Sequence, residues 1–237
     1  MATLLHCEDV TKRFGGIVAL DECSATVESG AITGLIGPNG AGKTTLFNVI
    51  TGVLSPESGR IHFQGDDVTG RPEHERCHAG IARTFQTPRP IQSLTVEENL
   101  RVAGRFGSPD EGGTDVLEQT IEVLDLADRR SSDAGNLQMV ERKYVDLGRA
   151  LLTMPDLVLL DELLAGLNSG EKDGMIDRIR QLHETFDVDF LVVEHDLRAI
   201  RELSEEIIVL NEGRFMAAGA PDEILSDEQV KEAYIGT

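Results

Sequence analysis

The sequence predicts an α/β fold: a parallel-sheet core, opened by a strand-rich segment and interrupted by a helical insertion. Three observations carry this. Residues 4–36 alternate apolar and polar side chains between Gly and charged turns, the period of strands. Later apolar runs, LVLLD and FLVVEH, alternate with helical stretches, as in a chain threading strand, helix and strand. Between these parts, over roughly 87–147, the period is helical.

Taken in order, LLHCEDVTKRFGGIVALDECSATVESG is strand-rich. AITGLI is a short buried strand, KTTLFNVITG a helix closed by Gly52, and RIHFQGDDV a strand and turn. RPEHERCHAG is a short, charged, exposed helix leading into the strand-like GIARTFQ. TVEENLRVAG, DVLEQTIEVLDLADR and NLQMVERKYVDLGRALL are helical, and the loop RFGSPDEGGTD between the first two is rich in Gly and acid, hence exposed. Strands return at LVLLD, FLVVEH and EIIVLNEGRFMAAG, and the acidic run PDEILSDEQVKEAY reads as a solvated helix face. The expected organisation is one domain over 1–237, with an α/β core at 1–86 and 148–237 and a helical subdomain at 87–147.

Bulk properties narrow the function. The 237 residues suffice for one large core, and no apolar run is long enough to span a bilayer. The N-terminus lacks the order of a signal peptide, so a soluble intracellular protein is expected. Cys7, Cys23 and Cys77 have no metal-type spacing and read as reduced thiols. His74, Cys77 and His78 on one short helix make no closed zinc site. Asp plus Glu number 42 against 22 Lys plus Arg, a net charge of −20. Such a surface repels phosphate backbones, so no nucleic-acid partner is expected. It also suits a salt-rich cytoplasm, where screening removes self-repulsion.

The chemistry concentrates in three places. GPNGAGKT, Gly37 to Thr44, fits G-x-x-x-x-G-K-[ST] at every fixed position, with a strand before it and a helix after. Glycines let backbone N–H groups curl around phosphates, and the helix turns its positive end to the anion. Lys43 supplies charge to the β- and γ-phosphates, and the Thr44 hydroxyl suits Mg²⁺. Asp161 and Glu162 end the strand LVLLD, where α/β sheets bind ligands; Asp161 suits Mg²⁺ through water and Glu162 an attacking water. His195 ends FLVVEH and could reach a γ-phosphate.

These motifs, in this order, resemble the ATP-binding subunits of ABC transporters over essentially the whole chain. The resemblance implies a P-loop NTPase (RecA-like) core with an N-terminal antiparallel β subdomain and an inserted helical subdomain. It implies ATP and Mg²⁺ as cofactors. Phe14 matches the aromatic that stacks on adenine. Gly37, Pro38, Asn39, Gly40, Ala41, Gly42, Lys43, Thr44 and Thr45 match the nucleotide loop. Gln86 matches the glutamine that touches Mg²⁺ and the attacking water and senses the permease. Asp161 matches the metal aspartate, Glu162 the catalytic glutamate, His195 the switch histidine, and Ala165–Asn168 the loop that crosses the dimer interface. FGGIVALD, GPNGAGKTTLFNVITG, GIARTFQ, EHDL and EAYIG are worded like the LivG-like ATPases of branched-chain amino-acid importers, with urea-importer ATPases close behind. The implied partners are membrane permease subunits, a second ATPase subunit in a head-to-tail dimer and, indirectly, an external solute-binding protein. The implied place is the inner face of the cell membrane.

One segment departs from the pattern. The slot that usually reads Leu-Ser-Gly-Gly-Gln and binds the partner's γ-phosphate is Leu137–Glu141, Leu-Gln-Met-Val-Glu. Val cannot offer the close approach of Gly. Glu141 is expected to face a phosphate of its own sign, at about 4 kcal/mol for charges ~4 Å apart at an effective dielectric near 20. Losing one preorganised donor costs a further ~2.7–4 kcal/mol in such sites. The expectation is a heterodimer with asymmetric ATP sites, favoured over a homodimer. In the second departure, Leu163 stands where proline usually follows the catalytic acid; this loosens the turn but removes no chemical group, so a minor effect is expected.

Overall fold

The computed structural model describes residues 2–107 and 114–235; the loop expected over RFGSPDEGGTD lies largely outside the described residues, as does the final glycine of EAYIG. In chain order the elements are β1 (Thr3–Phe14), β2 (Ile17–Glu28), β3 (Ile32–Ile36), α1 (Lys43–Ile50), β4 (Ser58–Phe63), β5 (Asp66–Asp67), α2 (Glu73–His78) and β6 (Ile81–Arg83). There follow α3 (Val96–Gly107), α4 (Thr114–Val123), α5 (Met139–Leu151), β7 (Leu157–Asp161), α6 (Ser169–Phe186), β8 (Asp189–Val193) and α7 (Leu197–Leu203). The chain closes with β9 (Glu206–Asn211), β10 (Arg214–Gly219), α8 (Pro221–Ser226) and α9 (Glu228–Ile235). The backbone forms two compact units: Met1–Arg76 with Asp189–Thr237, and Cys77–Val188.

In the first unit, β1 and β2 pair antiparallel and β4 and β5 extend the sheet in the order β2-β1-β4-β5. The alternation read from the sequence is real: Leu5, Cys7, Val10, Cys23, Val27 and Ile61 are buried. The cysteines are free, and burial pushes the Cys7 and Cys23 thiols up to about 12 and about 11. A second sheet is parallel. β3 lies between β8 and β9, with Leu35 opposite Val193 and Ile208, and β10 adds antiparallel to β9. Every residue of β3 and β8 is buried, so these strands read as apolar runs rather than alternation.

The charged helix α2 departs from the exposed reading at Arg76, which is 1% exposed. Its guanidinium donates to the carbonyls of Val49 (2.5 Å) and Ile50 (2.6 Å), and to those of Thr69 (2.8 Å) and Arg71 (3.0 Å). The last carbonyls of a helix lack intrahelical donors. Arg76 therefore serves as a C-terminal cap of α1, the helix that follows the glycine loop.

In the second unit, β6 and β7 pair in parallel with Arg83 opposite Leu159. α3 starts on a capping box: the Thr95 N–H donates to Glu98 Oε2 (2.8 Å) and the Glu98 N–H to Thr95 Oγ1 (3.2 Å). α4 stops at Val123, short of the helical period in the sequence, where Asp125 takes a φ of 54°. Arg130 joins α3 to α4 by pairing with Glu97 (2.5 Å) and Glu118 (2.7 Å). Among the described residues no helix is long and apolar enough to cross a membrane.

Candidate functional site

The first unit holds the glycine loop, Phe14 and His195. β3 ends at Ile36, and the loop runs directly into α1 at Lys43. Gly42 has a φ of 100°, and a Cβ there would lie 2.6 Å from the Ala19 carbonyl, so both backbone and space demand glycine. Gly37 and Pro38 are buried, whereas Asn39, Gly40 and Thr44 are exposed at the rim. Lys43 is 7% exposed, and its Nζ donates to the carbonyls of Gly37 (2.6 Å) and Pro38 (3.0 Å). The loop thus wraps its own ammonium group and leads into the positive end of a helix. Gly37 and His195 each stand two residues beyond the rung Leu35–Val193, so they leave the sheet at one edge. His195 is exposed, and Asp196 beside it caps α7 through the N–H groups of Arg198 (3.2 Å) and Ala199 (3.4 Å). Phe14, at the end of β1, is 48% exposed with Lys12 Nζ 5.7 Å from its ring centre.

The second unit holds Gln86, Asp161 and Glu162. Gln86 and Glu162 each lie three residues beyond the rung Arg83–Leu159, and they meet: Gln86 Nε2 donates to Glu162 Oε2 at 2.5 Å. Asp161 is 7% exposed and accepts from Arg83 Nη2 at 2.6 Å. Glu162 takes a φ of 50°, a conformation uncommon outside glycine and enriched at functional sites. The residues flanking Gln86 are tied to α5. Asp146 accepts from the Arg89 N–H (3.4 Å) and, more distantly, the Phe85 N–H (3.5 Å). Arg149 Nη1 donates to Asp146 (3.2 Å) and to the Arg89 carbonyl (2.7 Å). Burial pushes the Asp146 carboxyl above its ordinary range, with Arg149 and the two N–H groups opposing.

The turn after Glu162, where the missing proline is expected to have only a minor effect, has a tie of its own: Leu163 is 1% exposed, and buried Lys143 of α5 donates to the carbonyls of Leu163 (2.5 Å) and Ala165 (2.7 Å). One expectation from sequence is corrected here: the Glu141 carboxylate is not free to oppose a phosphate. Oε2 accepts from the Gln138 N–H (2.7 Å), closing the N-terminus of its own helix, and Oε1 pairs with Arg129 Nε (2.7 Å). Burial would raise its pKa, but these two bonds hold it below the ordinary carboxylate range. The departure therefore rests on Gln138 and Met139, both exposed, and half-buried Val140.

Sequence reasoning missed Arg83, Lys143, Asp146 and Arg76, the side chains that hold the motif residues in place. Arg83 at least interrupts the strand-like GIARTFQ, but Lys143, Asp146 and Arg76 lie among other charges, and no local pattern marks them.

The model of the family described as ABC transporter matches residues 20–165. The chain is 33% identical to the high-affinity branched-chain amino acid transport ATP-binding protein BraF of Pseudomonas aeruginosa, over 98% of both proteins. It is 35% identical to a probable branched-chain amino acid transport ATP-binding protein LivG of Methanocaldococcus jannaschii, over 98% of this chain and 97% of that one. Among solved structures it resembles the ADP conformation of an ATP-binding cassette of an ABC transporter, with a TM-score of 0.88 and 34% identity over 100% of both chains. A nucleotide-free cassette matches with a TM-score of 0.86 and 34% identity over 99% of this chain and 100% of that one. A glycine loop that wraps its lysine, paired acids ending a parallel strand and relatives aligned almost end to end agree: the chain belongs to the ABC transporter family, as one of its ATP-hydrolysing cassettes.

Proposed function

We propose that this chain is the ATP-binding subunit of an importer for branched-chain amino acids. It works in the cytoplasm at the inner face of the cell membrane, bound to permease subunits and supplied indirectly by an external solute-binding protein. The observation that carries this is the near full-length likeness to transport ATP-binding proteins of that name. In this reading the loop Gly37–Thr45 cradles the phosphates, Lys43 leaves its own loop carbonyls for the β- and γ-phosphates, and Phe14 stacks on adenine. Glu162, steadied by Gln86, takes a proton from the attacking water, and His195 donates to the γ-phosphate. The Asp161 carboxylate, the Thr44 hydroxyl and the Gln86 amide oxygen are each, by their chemistry, hard donors of the kind that would hold Mg²⁺. Mg²⁺, when bound, neutralises charge on the β- and γ-phosphate oxygens. The core at 1–86 and 148–237 carries the nucleotide, and the helical subdomain at 87–147 presents Leu137–Glu141 to a second ATPase.

That segment supports a heterodimer. Gln138, Met139 and Val140 replace a hydroxyl and two close-approaching glycines, so the chain keeps what it offers its own ATP and spoils what it offers a partner's. The purified chain alone is expected to bind ATP without turnover. Turnover should appear with an ATPase partner whose signature is intact, and Glu162→Gln should then lower it by about 10²–10⁴-fold. Turnover by the chain alone that Glu162→Gln abolishes would sink the asymmetry. For the solute, deletion in the source cell should abolish uptake of labelled leucine and spare urea; the reverse pattern would move the assignment to a urea importer.

A further inference from the structure

The acidic C-terminal run, read from sequence as a solvated helix face, does something more specific. It breaks at Asp227 into α8 and α9, and the Asp227 carboxylate caps α9 through the N–H groups of Gln229 (2.7 Å) and Val230 (3.2 Å). Val230 is 3% exposed and anchors the helix. One turn on, the Tyr234 hydroxyl accepts from the Gly37 N–H at 2.7 Å, across 197 residues of sequence.

Gly37 is the first residue of the phosphate loop and has left the sheet, the last rung of β3 being Ile36–Val209. Its φ is 154°, and a Cβ there would lie 2.2 Å from the Leu210 carbonyl. Gly37 is therefore pressed against β9 with no side chain to orient it. Two hydrogen bonds hold the successive peptide groups on either side of its Cα. Its N–H, in the Ile36–Gly37 peptide, goes to Tyr234, and its C=O, in the Gly37–Pro38 peptide, accepts from Lys43 Nζ at 2.6 Å. Tyr234 thus fixes the residue from one side, and the Lys43 ammonium, the group that meets the phosphates in the reading above, from the other. Burial pushes the Tyr234 phenol up, against the Gly37 N–H, so the hydroxyl is neutral at physiological pH.

We infer that Tyr234 is a positioning residue for nucleotide binding: the C-terminal helix holds the first peptide of the phosphate loop and thereby sets where Lys43 rests. This depends on the nucleotide loop being where it is proposed above, at Gly37–Thr45. Tyr234→Phe removes the hydroxyl and little else. It is expected to weaken binding of a fluorescent ATP analogue and its ADP counterpart about tenfold each, with the melting temperature of the nucleotide-free chain falling by about 2–4 °C, as one unsatisfied backbone N–H predicts. Val230→Ala is the control: it loosens α9 but keeps the hydroxyl, and it should lower the melting temperature more than the affinity. Lys43→Ala in parallel separates two failures. If Lys43→Ala retains wild-type affinity, the loop assignment itself is wrong. If Lys43→Ala loses affinity while Tyr234→Phe stays within twofold for both nucleotides, the hydroxyl only satisfies a buried amide and the inference falls. A Tyr234→Phe chain with a lowered melting temperature and unchanged affinity would overturn it in the same way.

Discussion

Lys143 shows how much a single residue decides at this site. A lysine buried to 2% exposure is uncommon, and this one is held by two backbone carbonyls on the far side of Glu162. Those carbonyls belong to Leu163 and Ala165, so the ammonium fixes both the turn after Glu162, the residue proposed above to activate water, and the start of the Ala165–Asn168 loop. Glu162 sits at a φ of 50°, which persists only where its surroundings over-determine it. Lys143→Met keeps the stem and removes the donors. Leaving the carbonyls unsatisfied should cost about 1–3 kcal/mol, a fall of roughly 2–10 °C in melting temperature for a chain of this size. Turnover with a partner should fall further than stability explains, because the turn carrying Glu162 is released. Thermal melts beside single-turnover kinetics check this; a variant that loses stability with unchanged turnover would make Lys143 purely structural. The glycine loop and the paired acids were legible in the sequence because backbone curvature and charge impose fixed spacing on a phosphate-binding motif. The residues that hold them were not. Lys143, Asp146, Arg83 and Tyr234 act on partners 20 to 197 residues away, and nothing in local spacing reports such a partner.

At the level of elements, most strands and helices follow the pattern of the sequence, and the differences have local causes. β3, β7 and β8 were readable as unbroken apolar runs because they are covered on both faces. α4 ends early because Asp125 adopts a left-handed turn, and the acidic C-terminal run is two helices because Asp227 caps a new one. Periodicity cannot see a cap inside a continuous polar run. The helices α3 and α4 are joined through Arg130, which pairs with Glu97 of α3 (2.5 Å) and Glu118 of α4 (2.7 Å), and Arg101 one turn along α3 also bonds Glu97 (2.6 Å). The two bonds to Glu97, outweighing slight burial, hold its carboxyl down at about 2 against an ordinary 4.5. A carboxylate whose folded pKa is depressed stabilises the fold above its unfolded pKa, and this is lost as pH falls through the folded value. The Glu97 contribution is therefore whole above pH 4.5 and gone by about pH 2. Glu97→Gln should lower the melting temperature at pH 7 and converge on wild type as acid removes the same charge. A melt series from pH 7 downward that kept a constant gap between the two would show that the Glu97 charge contributes nothing to holding α3 and α4 together.

At the scale of the whole molecule, charge governs behaviour. The chain carries 42 acidic against 22 basic residues, and of its five lysines Lys43 and Lys143 are buried. Many of the arginines are already engaged, Arg83 with Asp161, Arg129 with Glu141, Arg149 with Asp146 and Arg214 with Asp21. The cations are thus spent on local pairs, while the excess of acid remains as a net charge of −20. Salt acts on both parts. It weakens the exposed pairs, each worth about 0–1 kcal/mol, and it screens the repulsion among the remaining carboxylates. The screening length shrinks from about 10 Å at 0.1 M to about 3 Å at 1 M, so unpaired acids spread over a surface stop sensing one another while buried pairs such as Arg83–Asp161 are hardly touched. Relief of repulsion outweighs the weakening of exposed pairs because repulsion scales with the unbalanced charge, and few cations are left to oppose it. The melting temperature should therefore rise steadily from dilute buffer to molar KCl. The same rise in NaCl would mark it as screening, and a greater rise in sulfate would mark an added effect on apolar burial. A flat or falling melt across KCl would mean that the paired charges dominate, and that the acidic surface is no adaptation to a salt-rich interior.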